Sequence, residues 1–366
     1  MVERQVISGA RTLWELIDRR AAADPDRPML IDEQDRSLTF GQFRDRALGV
    51  AAGLHGAGVS AGTPVSWQLP TRIDTVVLSA ALCRLGAVQN PIIHLYRDRE
   101  VGFAIRQTGA RFLFIPNEWR GYDFRALADR VTTDLADPPT VVVVVDDALP
   151  EADPSTLPPA PTGVDAAEAP IRWIYYTSGS TADPKGVCHT DQTLIAGGTG
   201  LAVALDMSPD DVGSIAFPFA HIAGPDYLVT VLSLGFPSVL VEAFSAPDVI
   251  PFYRKHGVTM AGGSTAFYVA FLAEQRKQPG EPVIPTLRAM SGGGAPKPPE
   301  AHYEVQRELS CRGTLHGYGM TEVPMISQGS PHDSDEQLAN TDGAPVVAAE
   351  VRIVKLDGAV AAAGAE

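Results

Sequence analysis

Donors able to grip an anion are concentrated between Tyr175 and Gly186, in the string YYTSGSTADPKG. A predicted strand, WIYY, runs into Thr177, Ser178, Gly179, Ser180 and Thr181, and Pro184, Lys185 and Gly186 close the segment. Short hydroxyl side chains and flexible backbone N–H groups wrap anionic oxygens, and glycine lets the backbone come close. Lys185 adds a positive charge. At about 4 Å from a phosphate oxygen, in an effective dielectric near ~20, its attraction is on the order of 4 kcal/mol before desolvation. A generic Ser/Gly/Thr loop is usually a polar surface turn. The ordered string TSGST followed by PKG is what argues for a phosphate grip. It is not a Walker loop, because no GK[ST] follows four residues after a glycine.

YTSGST with PKG resembles the phosphate-gripping signature of the adenylate-forming enzymes: acyl- and aryl-CoA ligases, luciferases and peptide-synthetase adenylation domains. Ala182 stands where that family usually has glycine, which leaves the donors in place. SGGGAP (291–296) and GYGMTE (317–322) follow in the family's order, and LTFGQF (38–43) and LCRLGAVQNPI (82–92) extend the likeness along the chain. The resemblance implies ATP, Mg2+ and CoA as cofactors. Thr177, Ser178, Ser180, Thr181 and Lys185 would hold the β- and γ-phosphates, with Gly179 between them. Gly292, Gly293, Gly294, Ala295 and Pro296 would lie against adenine and the acyl pocket. From Gly317, Tyr318, Gly319, Met320 and Thr321, the Tyr318 ring would stack on adenine and Thr321 would bond the α-phosphate. Glu322, with Thr177, would hold Mg2+. An aromatic face, a hydroxyl and a carboxylate so close together suit a metal-bound nucleotide.

The same resemblance makes FPFAHIAG (217–224) a substrate-pocket strand and turn, with His221 bordering the carboxylate and a thiol tunnel. GGSTAFY (262–268) would line the acyl pocket, so His221, Gly263, Ser264 and Met320 are the expected substrate contacts. Core packing accounts equally well for Phe267 and Tyr268. Amino-acid-activating members carry an aspartate near FPFAHIAG; here Asp226 lies past it, in a predicted helix, which favours a simple carboxylic acid. Gly56-x-Gly58-x-x-Ala61 fits a dinucleotide fingerprint in letters but follows a helix and precedes a strand, the reverse of the required order. His55, His94, His189, His256, His302, His316 and His332 form no pair at helical spacing, and Asp333, Asp335 and Glu336 read as a solvated loop face, so no zinc site is expected.

Alternating strands and helices must position these residues. Phe40, Phe43, Ala47, Val50, Ala51 and Leu54 have helical spacing, and Thr39 with Gln42 forms a capping box. That helix should stop near Gly56. VSWQL (65–69) reads as a strand, Thr71 caps a helix ending near Gly86, and residues 98–108 form a helix stopped by Gly109. Strands are expected at 88–93, 112–115 and 141–145, and in the second half at 171–175, 186–189, 213–217, 238–241, 258–261, 287–290 and 313–316. Helices are expected near 192–204, 225–234, 247–256, 265–275 and 298–309, and a late strand at Glu350–Lys355. Short links between alternating elements imply parallel sheets covered on both faces. The expected fold is α/β: two stacked parallel-sheet subdomains, 1–170 with a Pro-rich connector at 146–170, and 171–330 with the gripping loop. Residues 331–366 would begin a β-rich third subdomain.

The 366 residues suit two to three domains at about 150 residues each. A net charge of −15 argues against nucleic acid or an anionic membrane as partner. The three cysteines, Cys83, Cys188 and Cys311, contain no CxxC pair, the N-terminus has no apolar signal core, and 141–145 is too short to span a bilayer. A cytoplasmic protein is expected, and a homodimer is left open. Segment 331–366 holds no TGD, so the resemblance covers the family's large N-terminal domain alone, without the small C-terminal domain. Weak binding of ATP or acyl-AMP and poor adenylation would follow. The expected activity is ATP-dependent acyl-CoA ligation of a simple carboxylic acid. The alternatives are an aryl-acid adenylating enzyme that loads a carrier protein and a non-catalytic nucleotide or acyl binder.

Overall fold

Local signals set the first helices. Thr39 Oγ1 accepts the Gln42 N–H at 3.2 Å and the Gln42 side chain accepts the Thr39 N–H at 2.9 Å, opening the helix Phe40–Gly56. Helices Ile73–Leu85 and Asp98–Thr108 stop at Gly86 and Gly109, whose φ of 66° and 61° is the left-handed geometry that suits glycine. These elements come from a computed structural model, which describes residues 6–145, 148–177, 183–347 and 349–362.

A six-stranded sheet has the order Lys185–His189, Trp173–Thr177, Val88–Pro91, Pro64–Trp67, Phe112–Pro116 and Thr140–Val144. It is parallel except for the edge strand Lys185–His189. Its pairing crosses residue 170, because Gln89 sits opposite Trp173. A four-stranded sheet likewise joins distant parts: Gly213–Ile215, Ser238–Leu240, Pro28–Ile31 and Ser37–Thr39. The third sheet runs Met260–Gly263, Ala289–Gly292, Thr314–Met320, Val323–Gln328 and Ala344–Pro345, parallel over its first three strands and antiparallel thereafter. The result is a mixed α/β fold with several sheets that contain parallel strands. Every residue of Ile73–Leu85 is buried, most of them apolar, and the buried Asp74 near its start pairs with Arg46. The largest apolar cluster runs from Leu13 and Trp14 through Phe43, Val77 and Phe219 to Leu338. Asp191 ties the chain start into it, accepting from the Leu13 N–H at 3.0 Å and Trp173 Nε1 at 2.9 Å.

Three expectations need correction. Thr71 does not cap the helix after it: the N-cap is Arg72, and the Thr71 hydroxyl is used elsewhere. Glu350–Lys355 is not a strand; it contributes one isolated bridge, Val354 to Val360, and Val351, Ile353 and Leu356 stay exposed, because among the described residues no neighbouring strand completes a ladder there. Asp335 and Glu336 face solvent but are not in a loop. They open the helix Asp335–Asn340 behind a Ser334 capping box, and Asp335 pairs with Arg312. Among the described residues, no helix is long and apolar enough to cross a membrane.

Candidate active site

Strand Trp173–Thr177 ends at Thr177, and the return strand begins at Lys185 directly opposite it. The two flanks of the gripping motif are therefore held side by side. Ser178, Gly179, Ser180 and Thr181 lie outside the described residues.

The GYGMTE segment forms the end of strand Thr314–Met320 and the turn into Val323–Gln328, with Met320 opposite Val323. A Cβ on Gly319 would overlap the Pro324 carbonyl, so the tight crossing needs glycine there. Tyr318 is 48% exposed and Met320 39%, which leaves an aromatic face open for stacking. Glu322 is exposed, and the Thr321 carbonyl accepts from His189 Nε2 at 2.7 Å.

SGGGAP is pinned from three directions. The Gly293 N–H donates to the Gly263 carbonyl at 3.3 Å, Thr265 Oγ1 donates to the Pro296 carbonyl at 3.0 Å, and His316 Nε2 donates to the Ala295 carbonyl at 3.0 Å. A carbonyl only accepts, so His316 carries its proton on Nε2 and Nδ1 accepts from the Tyr268 hydroxyl at 3.2 Å. Burial lowers the His316 pKa and favours this neutral ring. The Tyr268 hydroxyl fills the space where a Gly292 side chain would stand, and Gly294 has a φ of 73°. Gly263 pairs with Gly292, and Ser264 precedes the helix Thr265–Lys277 without a side-chain cap bond. SGGGAP also meets GYGMTE: a Cβ on Gly293 would lie 2.7 Å from the Gly317 carbonyl.

FPFAH is held by Thr71. Its Oγ1 donates to the Phe217 carbonyl at 2.9 Å and accepts the Phe219 N–H at 3.0 Å. His221 follows that clamp. Its Nδ1 accepts the Ala223 N–H at 3.2 Å, which puts the ring proton on Nε2. Solvent reaches the ring, yet protein crowds it on most sides, and that desolvation lowers its pKa.

Thr177, Pro184, His221 and Thr321 line one cleft, with Ile92 and Tyr96 among its other walls. The structure thus brings together residues 144 positions apart in the sequence. Lys185, Gly263, Ser264, Met320 and SGGGAP do not line this cleft; Lys185 lies opposite Thr177 and Met320 precedes Thr321, while Gly263, Ser264 and SGGGAP are linked to the GYGMTE strand through Gly293 and Gly317. Sequence reasoning missed the supporting groups Thr71, His189, Tyr268 and His316. For His189 there was one signal, strand periodicity, which puts it on the face of Lys185. Among the described residues no group of three or more His, Cys, Asp or Glu is placed to hold a metal. A magnesium ion at Glu322 would therefore depend on phosphate and water oxygens, which fits its habit of binding through one or two carboxylates and substrate phosphates.

The chain belongs to the AMP-binding enzyme family of adenylate-forming ligases, whose model matches residues 17–366. It is 29% identical to a salicyl-AMP ligase/salicyl-S-ArCP synthetase of Mycobacterium tuberculosis, over 97% of this chain and 64% of that protein. It is 25% identical to a medium-chain fatty-acid–CoA ligase of Escherichia coli, over 96% of this chain and 62% of that protein. The chain thus spans a little under two thirds of these relatives. Its fold matches a solved fatty acyl CoA synthetase of Mycobacterium tuberculosis with a TM-score of 0.82 and 21% identity, covering 96% of this chain and 68% of that one. CoA ligases and aryl-acid adenylating enzymes both occur among the relatives.

Proposed function

We propose that this chain serves ATP-dependent activation of a simple carboxylic acid, followed by thioester formation with CoA. The observation that carries the reading is the single cleft shared by Thr177, His221 and Thr321, beside the Thr177–Lys185 hairpin flanks. A carboxylate has a pKa near ~4, so it is ionised at neutral pH and needs no general base. Its oxygen attacks the α-phosphorus and pyrophosphate leaves; the CoA thiolate then attacks the acyl carbon and AMP leaves. The obstacle in the first step is anion meeting polyanion, so positioned donors matter most. Lys185 and Thr177 take the outer phosphates and Thr321 the α-phosphate. His221, neutral with its proton on Nε2, donates toward the acid without adding charge. Bound Mg2+ would supply charge neutralisation across the phosphates, with Glu322 as its protein ligand.

Asp226 supports a simple acid over an amino acid. It is 2% exposed, packed beside Gly197 and not among the residues that line the cleft, so it does not face an incoming ammonium group. The salicyl-AMP ligase relative favours a second reading, an aryl acid passed to a carrier protein. AMP release with fatty, alicyclic and aryl acids, measured with CoA and with an acyl-carrier protein as acceptor, separates the two. ATP titrations unchanged in both Lys185→Ala and Glu322→Ala would remove the site assignment. A homodimer draws no support from the comparisons.

A further inference from the structure

His189 ends the return strand of the gripping hairpin and is 3% exposed. Its ring touches two other elements. Nε2 lies 2.7 Å from the Thr321 carbonyl in the third sheet, and Nδ1 lies 3.0 Å from Thr193 Oγ1 at the start of helix Asp191–Leu205. The carbonyl accepts only, so Nε2 carries a proton. Thr193 Oγ1 also accepts the Thr190 N–H at 3.2 Å, and its one hydrogen is shared between Nδ1 and the Thr190 carbonyl, 2.9 Å away, within the capping box that opens the helix. Both ends of the imidazole are thereby fixed.

We propose that His189 is a positioning residue that sets the span between the Lys185 strand and the Thr321–Glu322 turn. The inference rests on the functional reading above. Two features of the turn make such a strut necessary. Its strand pairing shifts register between Tyr318 and Met320, and Met320 opposite Val323 is the last pair before the tip, so the ladder alone does not fix where Thr321 points. The turn and the gripping hairpin also belong to different sheets. One triphosphate must meet Lys185 at its outer end and Thr321 at its α-phosphate, and a misplacement near ~1 Å can cost about 100-fold in rate. A rigid ring bonded at both ends holds that separation better than a flexible side chain. Burial lowers the His189 pKa, which agrees with a neutral ring.

The test compares His189→Leu with His189→Gln. A glutamine amide nitrogen reaches the place of Nε2 and still donates to the Thr321 carbonyl, whereas leucine cannot. Calorimetric ATP binding with Mg2+ should weaken about tenfold in the leucine variant. Acid-dependent pyrophosphate exchange should lose on the order of 100-fold in kcat with the acid KM unchanged. The glutamine variant should recover both to within about threefold. Wild-type chain that binds no ATP overturns the functional reading and this inference with it. Tight ATP binding by both wild type and the leucine variant overturns the inference alone. So do equal losses in the two variants that track a common fall in melting temperature. The binding arm decides the matter even where turnover is absent.

Discussion

Replacing Thr71 by valine keeps the shape of the side chain and removes the hydroxyl that clamps FPFAH. Thr71 is 2% exposed, and the Phe219 N–H it satisfies is fully enclosed. Each buried group left without a partner costs about 1–3 kcal/mol. The Phe217 carbonyl is only partly buried, so it falls at the low end, and the total is about 2–4 kcal/mol. Unfolding entropy near ~2.1 cal/mol/K per residue makes about 0.77 kcal/mol/K for a 366-residue chain that unfolds as one unit. The melting temperature should fall by about 3–5 °C. Thr71→Ser keeps the hydroxyl and loses one methyl group, about 0.8 kcal/mol, so it should fall by about 1 °C. The clamp also aims His221, so an acyl-adenylate analogue should bind the valine variant more weakly than the serine variant. Scanning calorimetry and ligand titration on the three proteins check both points. A valine variant that melts and binds like the serine variant would refute the reasoning.

Gly292→Ala should abolish adenylate binding, because its methyl group collides with the Tyr268 hydroxyl; adding Tyr268→Phe should restore part of that binding in the same titration. Asp226 has a folded-state pKa raised well above that of an ordinary carboxyl group, by burial. The unfolded chain therefore loses this proton first, and the folded state loses relative stability as pH rises above about 4. Asp226→Asn should remove that dependence, so thermal melts at pH 4.5 and pH 8 should show the variant gaining more over wild type at the higher pH. Lys185→Ala should weaken ATP binding about tenfold or more, with the effect shrinking as salt is raised, since Lys185 is exposed and its attraction is screened.

Patterns confined to one element could be read directly from the sequence. The Thr39–Gln42 box and the glycine stops at Gly86 and Gly109 depend on residues three or four apart, and all three appear where expected. Thr71 shows the limit. A threonine before an apolar run looks like a cap, yet its partners are 146 and 148 residues away, and nothing local announces them. The use of His189 and His316 as struts depends on carbonyls at Thr321 and Ala295 that only the fold brings near. Glu350–Lys355 has the composition of a strand, but a strand needs a partner as well as a sequence. The motifs stand in the sequence, but the arrangement that seats Thr177, His221 and Thr321 on one cleft does not, because it depends on how separate sheets pack together.

The weaving of early and late segments has a consequence for how the chain comes off the ribosome. Leu30 and Ile31 pair with Ser238 and Val239, and Gln89 waits for Trp173. At about 5–20 residues per second, the partner of Pro28–Ile31 is made on the order of 10–40 seconds after it. Through that interval the nascent chain carries open strand edges, which recruit other strands unless they are shielded. Closure of both sheets is therefore delayed by the topology, and the hairpin of Trp173–Thr177 and Lys185–His189 joins strands made well before it.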